Sequence, residues 1–223
     1  MAAAADKAYE VLKQRVVAGH YGPGGQLKEE HIARELDISR TPVRAALKRL
    51  VEAGLATSDP RRGVRVVEWT DFDIEETFEL RRLLEGHAAR LAARRGNAAL
   101  ADRLDELNEQ MDQAIRLGGS ELPERVLQIN AQFHRALLEE SGSPRLRSIL
   151  AGLIDMPIVL RSHFISTSQD KIQSLNHHRD LAAAVRAGDG ELAEQVMQLH
   201  LGFAARRFKR QRSALSPHPL QAG

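Results

Sequence analysis

The chain has 223 residues, of which 43% are hydrophobic, so it is long enough for two packed domains and is not disordered throughout. It has no cysteine, which excludes disulfides, thiolate metal ligands and cysteine nucleophiles and fits a reducing compartment. The formal net charge is only +2. The first residues show no apolar h-region, and no apolar run reaches the roughly 18 residues of a membrane helix. We therefore expect a cytoplasmic protein without membrane contact.

Two short helices are expected first. Residues 6–18 carry apolar side chains near helical spacing: Ala8, Val11, Leu12 and Val16. The segment GHYGPGG then breaks the helix, and KEEHIARELDIS offers a short apolar stripe on a second helix: Ile32, Ala33 and Leu36. Only three or four residues separate this helix from the next one, which is typical of a helix-turn-helix.

The third helix begins within DISRTPVRAALKRL, residues 37–50. Either Ser39 or Thr41 can cap its N-terminus through a hydroxyl, and Pro42 suits the first turn because its missing N–H costs nothing there. The spacing predicts a buried face of four residues: Val43, Ala46, Leu47 and Leu50. It predicts an exposed face opposite: Thr41, Arg44, Ala45 and Lys48.

Positive charge is concentrated in this part of the chain. Residues 40–65 hold seven basic and two acidic side chains, a net +5, which indicates either a polyanion partner or a solvated basic face. A helix N-terminus with free N–H groups, hydroxyls and guanidinium groups suits phosphates and guanine edges. These are the properties of a helix that enters a DNA major groove.

A basic hairpin is expected after the third helix. Gly54 ends the helix, and residues 55–58 and 64–67 are predicted strands around DPRRG, which places Arg61 and Arg62 at the tip. Three helices with such a wing predict a winged helix-turn-helix over residues 1–68. The alternative use of this fold, in protein contacts, fits less well because the basic residues lie on the two elements that would face DNA.

The segment LKEEHIARELDISRTPVRAALKRLVEAGLATSDPRRGVRV resembles the DNA-binding domain of the GntR family of bacterial transcription regulators. The resemblance implies DNA contacts from Ser39, Arg40, Thr41, Pro42 and Arg44 and from the wing at Gly63. We add three residues to the expected DNA contacts: Lys48, because it lies on the exposed face of the third helix, and Arg61 and Arg62, because they lie at the tip of the wing. Ala45 departs from the family pattern, which usually has Glu there, so base preference could differ.

Helices dominate the remainder. After a linker at residues 69–71 we predict an all-helical domain over residues 72–211, with helices near 71–95, 98–117, 122–141, 144–166, 169–187 and 189–211, and a frayed tail at 212–223. The fold class is therefore mainly α, a winged helix-turn-helix followed by a helical bundle.

Polar side chains interrupt four of the apolar faces. Their positions predict that six side chains point inward: Arg81, Glu85, Asn130, His134, His178 and His200. His177 is expected to point elsewhere. For Arg81 the alternative is an i,i+4 pair with Glu85, and a single buried histidine is ordinarily a core residue. Three inward histidines on three helices instead predict a shared polar cavity, and a site for zinc, nickel, iron or manganese. Leu192, Val196 and Phe203 are expected to bracket His200.

These motifs are similar to the FCD ligand-binding domain of the FadR branch of GntR regulators: FELRRLLEGHAARLAA, N-x-x-F-H, HHRDLAAAVRAGD and M-x-x-H. The resemblance implies that Asn130, His134, His178 and His200 hold a divalent metal and that Arg81 receives an effector carboxylate. Metal-binding members have Asp at the position of Asn130. Asn brings no charge, so metal affinity should be weaker.

The combined interpretation is a homodimeric transcription regulator, most simply a repressor. It binds a near-palindromic operator in double-stranded DNA, and a small carboxylate metabolite modulates that binding. It is not an enzyme and has no catalytic residues. Two alternatives stay open: a metalloenzyme that uses the three histidines, and an architectural DNA-binding protein without an effector. The sequence does not name the effector or the operator.

Overall fold

The computed structural model describes residues 2–96, 98–154 and 157–215. Contacts divide the chain into two compact units, one of residues 1–70 and 156–161 and the other of residues 71–155 and 162–223. The helices and strands in chain order are α1 (Ala2–Ala18), α2 (Glu29–Glu35), α3 (Arg40–Glu52), β1 (Ala56–Asp59), β2 (Gly63–Val66), α4 (Asp71–Arg94), α5 (Ala98–Leu117), α6 (Leu122–Glu140), α7 (Pro144–Ile154), α8 (Pro157–Phe164), α9 (Ser168–Arg186) and α10 (Gly190–Leu215).

The first unit is a winged helix-turn-helix. Helix α3 packs against both α1 and α2, and the core consists of aliphatic side chains that are almost fully buried: Leu12, Val16, Ile32, Val43, Leu47, Leu50 and Leu55. The turn between α2 and α3 passes through Asp37, whose φ of 51° lies in the left-handed region that Asp tolerates better than most residues. This conformation turns the chain sharply enough to bring α3 across α2.

The two faces of α3 agree with the predicted pattern. Ser39 occupies the N-cap position, although its side chain makes no capping hydrogen bond. The predicted apolar face is buried and the opposite residues are exposed. The helix ends before Gly54, whose φ of 68° allows its N–H to bond the carbonyl of Val51.

The wing is a two-stranded antiparallel hairpin. Ala56 pairs with Val66 and Asp59 with Gly63, so each strand lies one residue from its predicted position. At the tip, the carboxylate of Asp59 accepts hydrogen bonds from the backbone N–H groups of Arg61 and Arg62, at 2.7 and 2.8 Å. Gly63 has a φ of 72°, which favours glycine at this corner.

The second unit is a bundle of helices α4 to α7, α9 and α10, with the last residues of α8. Helix α10 packs along α4 and α9, and α5 packs against α6 and α9. Small residues on α4 allow close approach of its neighbours, and aliphatic and aromatic side chains from α5, α6, α9 and α10 complete the core: Ala89, Ala92, Ala93, Leu104, Phe133, Leu137, Leu181, Val185, Met197 and Leu201. None of the helices in the described parts of the chain combines the length and apolar character needed to cross a bilayer.

The helix expected over residues 144–166 is described as α7 up to Ile154 and as α8 from Pro157 to Phe164, and residues 155 and 156 lie outside the described residues. Two predictions for this unit were wrong. Residues 212–215, expected in the frayed tail, continue α10, and residues 216–223 lie outside the described residues. Leu192, expected beside His200, is exposed.

Thr167 caps α9, the helix that carries His178. Its hydroxyl accepts a hydrogen bond from the N–H of Asp170, and the carboxylate of Asp170 accepts one from the N–H of Thr167, which completes a capping box. We predict that Thr167→Ala lowers the stability of the second unit by about 1 kcal/mol. Thermal unfolding measures this, with exposed Ser168→Ala as the control, and equal melting temperatures for both variants would contradict it.

Candidate nucleic-acid interface and metal centre

The exposed face of α3 presents most of the residues expected to contact DNA. Ser39, Arg40, Thr41, Arg44 and Lys48 are all exposed. Pro42 is different, because its side chain is buried; it supports the start of the helix and does not present a surface to a groove.

The arginines of this face are already paired with carboxylates from α2. Arg44 donates from Nε and Nη2 to the two oxygens of Glu29, each at 2.8 Å. Arg40 donates to Glu30 at 2.9 Å and to Glu29 at 3.5 Å. The hydrogen bonds from Arg44 are the main cause that lowers the pKa of Glu29. The charge of Arg44 and the hydrogen bond and charge of Arg40 add to this, and together they outweigh the effect of partial burial. Glu29 therefore fixes one edge of the Arg44 guanidinium and leaves Nη1 pointing away from that carboxylate.

This pairing was missed by the sequence analysis. Glu29 and Arg44 are 15 residues apart, and no helical or strand period connects them. Their proximity follows from the crossing of α2 and α3, which the left-handed turn at Asp37 determines.

The wing offers a second basic surface within the same unit. Arg61, Arg62 and Gly63 are exposed at its tip. Arg65, which contributed to the predicted basic patch, is half-buried instead, and its guanidinium donates to the carbonyl of Gly24. The side chains available to an external phosphate are therefore those of Arg61 and Arg62.

The second unit brings together three histidines from three helices. His134 of α6, His178 of α9 and His200 of α10 are buried, and one nitrogen from each lies within 4.8 Å of the others. Their ring centroids are 4.8–5.6 Å apart. The ring of His178 also stacks on Phe133, with 4.0 Å between centroids and 5° between planes, so packing fixes its orientation.

The carboxylate of Glu85 determines how His134 is oriented. One oxygen of Glu85 accepts a hydrogen bond from Nε of Arg81 at 2.6 Å, and the other lies 2.5 Å from Nδ1 of His134. Burial acts to raise the pKa of Glu85, but the charges of Arg81 and His134 and their hydrogen bonds outweigh it and lower the pKa to about 2. Glu85 is thus ionised, so Nδ1 of His134 is the donor and Nε2 faces the other histidines without a hydrogen bond.

Several buried polar atoms around the cluster have no hydrogen-bond partner. These atoms are Nε2 of His134, both ring nitrogens of His178, Nδ1 of His200 and Oδ1 of Asn130. Unpartnered buried groups each cost about 1–3 kcal/mol. A divalent ion would satisfy one nitrogen of each histidine together with Oδ1 of Asn130, and a carboxylate that accepts from the other nitrogen of a ligating histidine is common at metal sites. The residues present therefore fit a metal.

Two further histidines lie beside the cluster. The prediction that His177 points elsewhere was wrong: its ring packs edge-on against His200, 5.9 Å between centroids. His163 of α8 lies with Nε2 3.4 Å from Nδ2 of Asn130, a contact that leaves Oδ1 of Asn130 unpartnered. The sequence carried no signal for His163, because α8 is short and its apolar period is weak.

Two family models match the chain. The model described as "Bacterial regulatory proteins, gntR family" matches residues 4–66, and the model of the FCD domain matches residues 76–203. The first match lies within residues 1–70 and the second within residues 71–223.

Individual relatives span nearly the whole chain. An uncharacterized HTH-type transcriptional regulator, YieP of Escherichia coli, is 30% identical over 85% of this chain and 88% of its own length. A probable D-xylose utilization operon transcriptional repressor of Paenarthrobacter nicotinovorans is 29% identical over 88% of this chain and 85% of its own. The solved structure of E. coli McbR/YncC covers 94% of this chain and 98% of that chain with a TM-score of 0.71 and 24% identity, a likeness of fold.

Burial lowers the pKa of His178 and of His200 well below the ordinary value, and charges on neighbouring histidines lower them further. The unfolded chain therefore binds more protons than the folded one as the pH falls below about 6.5, where free histidine titrates. We predict that the metal-stripped protein loses stability between pH 7 and 5, by up to about 1.4 kcal/mol per pH unit for each of the two residues.

Urea unfolding at a series of pH values tests this prediction. His178→Phe, which keeps a flat ring against Phe133, should flatten the profile, whereas substitution of the exposed His87 should leave it unchanged. A profile that His178→Phe does not alter would show that another group dominates the acid sensitivity.

Proposed function

Because the chain belongs to the gntR family of bacterial regulatory proteins and carries an FCD domain, it is a transcription regulator, and we propose that a small carboxylate metabolite modulates its binding to operator DNA. The observation that carries the proposal is the combination of an exposed arginine pair on α3 with a buried, unpartnered imidazole cluster in the second unit. The first is suited to DNA and the second to a small ligand. Such a regulator acts in the cytoplasm, where bacterial DNA lies.

Helix α3 is the proposed reader of the major groove. Glu29 occupies the Nε–Nη2 edge of Arg44, so the remaining donors of the guanidinium are available for a guanine edge. The free N–H groups at the start of α3 suit a phosphate. Arg61 and Arg62 of the wing are the proposed contacts with DNA phosphates, and such contacts make the affinity for DNA fall as the salt concentration rises.

The second unit has a face that supports the proposed homodimer. Exposed apolar side chains of α4 and α10 border a groove of about 880 Å³: Phe72, Leu80 and Leu199. Acidic residues of α4 and basic residues of α10 line the same groove, including Glu76, Glu79 and Arg206. A two-fold contact pairs this face with itself, and a dimer would place two α3 helices on a near-palindromic operator.

Asn130, His134, His178 and His200 would hold the metal, which supplies positive charge for an effector carboxylate. Their unpartnered nitrogen and oxygen atoms support this assignment. Asn130 contributes a neutral carbonyl oxygen where related sites have a carboxylate, so this chain keeps one more unit of positive charge for the effector. The identity of the ion among zinc, nickel, iron and manganese is open, since imidazole suits all four.

Arg81 is the proposed partner of the effector carboxylate. The sequence offered two roles for Arg81, an effector contact and an i,i+4 pair with Glu85. The two are compatible, because Arg81 pairs with Glu85 through Nε alone. That pairing holds the guanidinium beside the histidine cluster. An effector that binds one arrangement of the protein more tightly than the other shifts DNA affinity by that difference and no more. Release of repression by the effector is the proposed direction.

The two alternatives are less well supported. A hydrolytic metalloenzyme needs a general base beside the metal, and Glu85, an acid that contacts the described cluster, is tied to Arg81 and His134 with a pKa of about 2. An architectural protein without an effector predicts a filled apolar core, whereas this core contains imidazole nitrogens without partners.

We predict that Arg44→Ala lowers the preference for operator over random DNA by roughly 1–3 kcal/mol, because the variant loses a base contact. The operator is obtained by selection from a randomised duplex pool with the unaltered protein. Competition gel shifts then measure the preference. Arg61→Ala should instead weaken both kinds of DNA equally and reduce the salt slope by about 1.

Size-exclusion chromatography of both variants controls for an intact assembly. If Arg44→Ala kept full selectivity, α3 would not be the reading element. If Arg61→Ala changed selectivity, the wing would read bases and not phosphates.

We predict that His200→Ala abolishes bound metal and that Asn130→Asp tightens metal binding by about tenfold, ~1.4 kcal/mol, because a carboxylate adds negative charge to the ligand set. The amide contact with His163 can be replaced, since the other tautomer of His163 donates to a carboxylate. Elemental analysis after purification without chelator, followed by chelator titration, gives both results. Exposed His31→Ala is the control. If His200→Ala retained metal at the wild-type level, the assignment of His200 as a metal ligand would be wrong.

A further inference from the structure

Two buried cations form a second layer beside the histidine cluster. Lys171 precedes His178 by seven residues on α9, and Arg207 follows His200 by seven residues on α10. Seven residues are close to two helical turns, so each cation lies on the same face as its histidine, about 10 Å along the helix axis. Because the three residues 187–189 join α9 to α10, the helices run antiparallel and both displacements point to the same end of the bundle.

Contacts confirm that the two cations occupy one layer. Arg207 donates from Nη1 to the backbone carbonyl of Asp170, the residue before Lys171, at 3.4 Å. The guanidinium therefore lies beside the start of α9, and its charge still contributes to the lowered pKa of His200. We call Lys171 and Arg207 the cationic layer, and His134, His178 and His200 the imidazole layer.

Neither cation is hydrogen-bonded to a carboxylate within the described residues. Lys171 donates to the backbone carbonyl of Ser166, and Nε of Arg207 is buried without a partner. The carboxylate of Asp170 is engaged elsewhere, because it accepts from Thr167 and lies 3.3 Å from the guanidinium of Arg210. Lys171 is 5% exposed and Arg207 is 8% exposed, so solvent does not compensate for the missing partner.

The charge balance of this region favours an anion. Burial lowers the pKa of Lys171 and of Arg207, the charge of Arg207 lowers that of Lys171 further, and the nearby charge of Asp170 opposes the shift in both. An isolated buried cation is costly unless a counter-charge accompanies it. Arg81 and its partner Glu85 balance each other. Lys171 and Arg207 instead share one nearby carboxylate, that of Asp170, which also pairs with Arg210, so the cationic layer keeps an excess of positive charge.

We propose that the effector carries two anionic groups, one held at the imidazole layer and the other by Lys171 and Arg207, as a short dicarboxylate would. This rests on the proposed effector function of the second unit. The backbone positions of the two layers are offset by about 10 Å, so with a hydrogen-bond contact of about 3 Å at each end, an effector whose two anionic groups are roughly 4 Å apart suits that offset. A chain of four or five carbons spans that distance, whereas a monocarboxylate reaches only one layer.

Calorimetric titration of the intact, metal-loaded protein tests the proposal with four probes: succinate, glutarate, butyrate and valerate. Each dicarboxylate is compared with the monocarboxylate of the same carbon number. We expect the better dicarboxylate to bind at least tenfold more tightly than its matched monocarboxylate. Arg207→Met, which keeps an apolar stem, should remove most of that difference and leave monocarboxylate binding unchanged. Arg186→Met, which removes an exposed charge from α9, should change neither.

Each outcome separates this inference from the function on which it rests. Equal binding of dicarboxylates and monocarboxylates, or an equal loss of both in Arg207→Met, would overturn the two-layer arrangement but leave a carboxylate sensor. Binding of none of the four probes by the metal-loaded protein would contradict the carboxylate effector itself, and the two-layer inference with it. Lys171→Met provides the same comparison if Arg207→Met does not fold, and the wild-type comparison needs no variant.

Discussion

The buried carboxylate of Glu85 is the interaction on which the histidine cluster of the second unit depends. It joins Arg81 of α4 to His134 of α6, and its two oxygens serve the two partners separately. Removing any one of the three would leave a buried charge or donor without compensation, which is among the most costly changes in a core. Because Glu85 accepts from Nδ1, Nε2 of His134 turns toward His178 and His200, and this single choice of tautomer makes the cluster suitable for a metal.

Sequence periodicity was sufficient for the parts of the fold in which one helix face meets one core. The alternation of Val43, Ala46, Leu47 and Leu50 with Thr41, Arg44, Ala45 and Lys48 located both faces of α3, since a 3.6-residue period determines them without tertiary information. It failed for Leu192, which was expected beside His200 but is exposed. The helical period identifies a face but does not show which part of that face a neighbouring helix covers.

The candidate site was predictable to the same extent and for the same reason. Asn130, His134, His178 and His200 were found because each interrupts an apolar face of its own helix. The partners of these residues were not predictable, because they come from other helices. His163 contacts Asn130 from α8, and His177 packs against His200 although it is next to His178 in the chain. Lys171 and Arg207 come together only because α9 and α10 pair in antiparallel orientation.

The two units use arginine and lysine in opposite ways, and the difference follows from burial. Arg40 and Arg44 are exposed, and Glu29 and Glu30 already balance much of their charge, so DNA contacts through their remaining donors gain little from charge alone and are sensitive to salt. Lys171 and Arg207 are buried, hydrogen-bond only backbone carbonyls among the described residues, and share the single nearby charge of Asp170. An anion that binds there releases a cost already present in the folded unit, so it stabilises that unit by mass action. A large stabilisation by a small ligand is the property that a sensor domain needs.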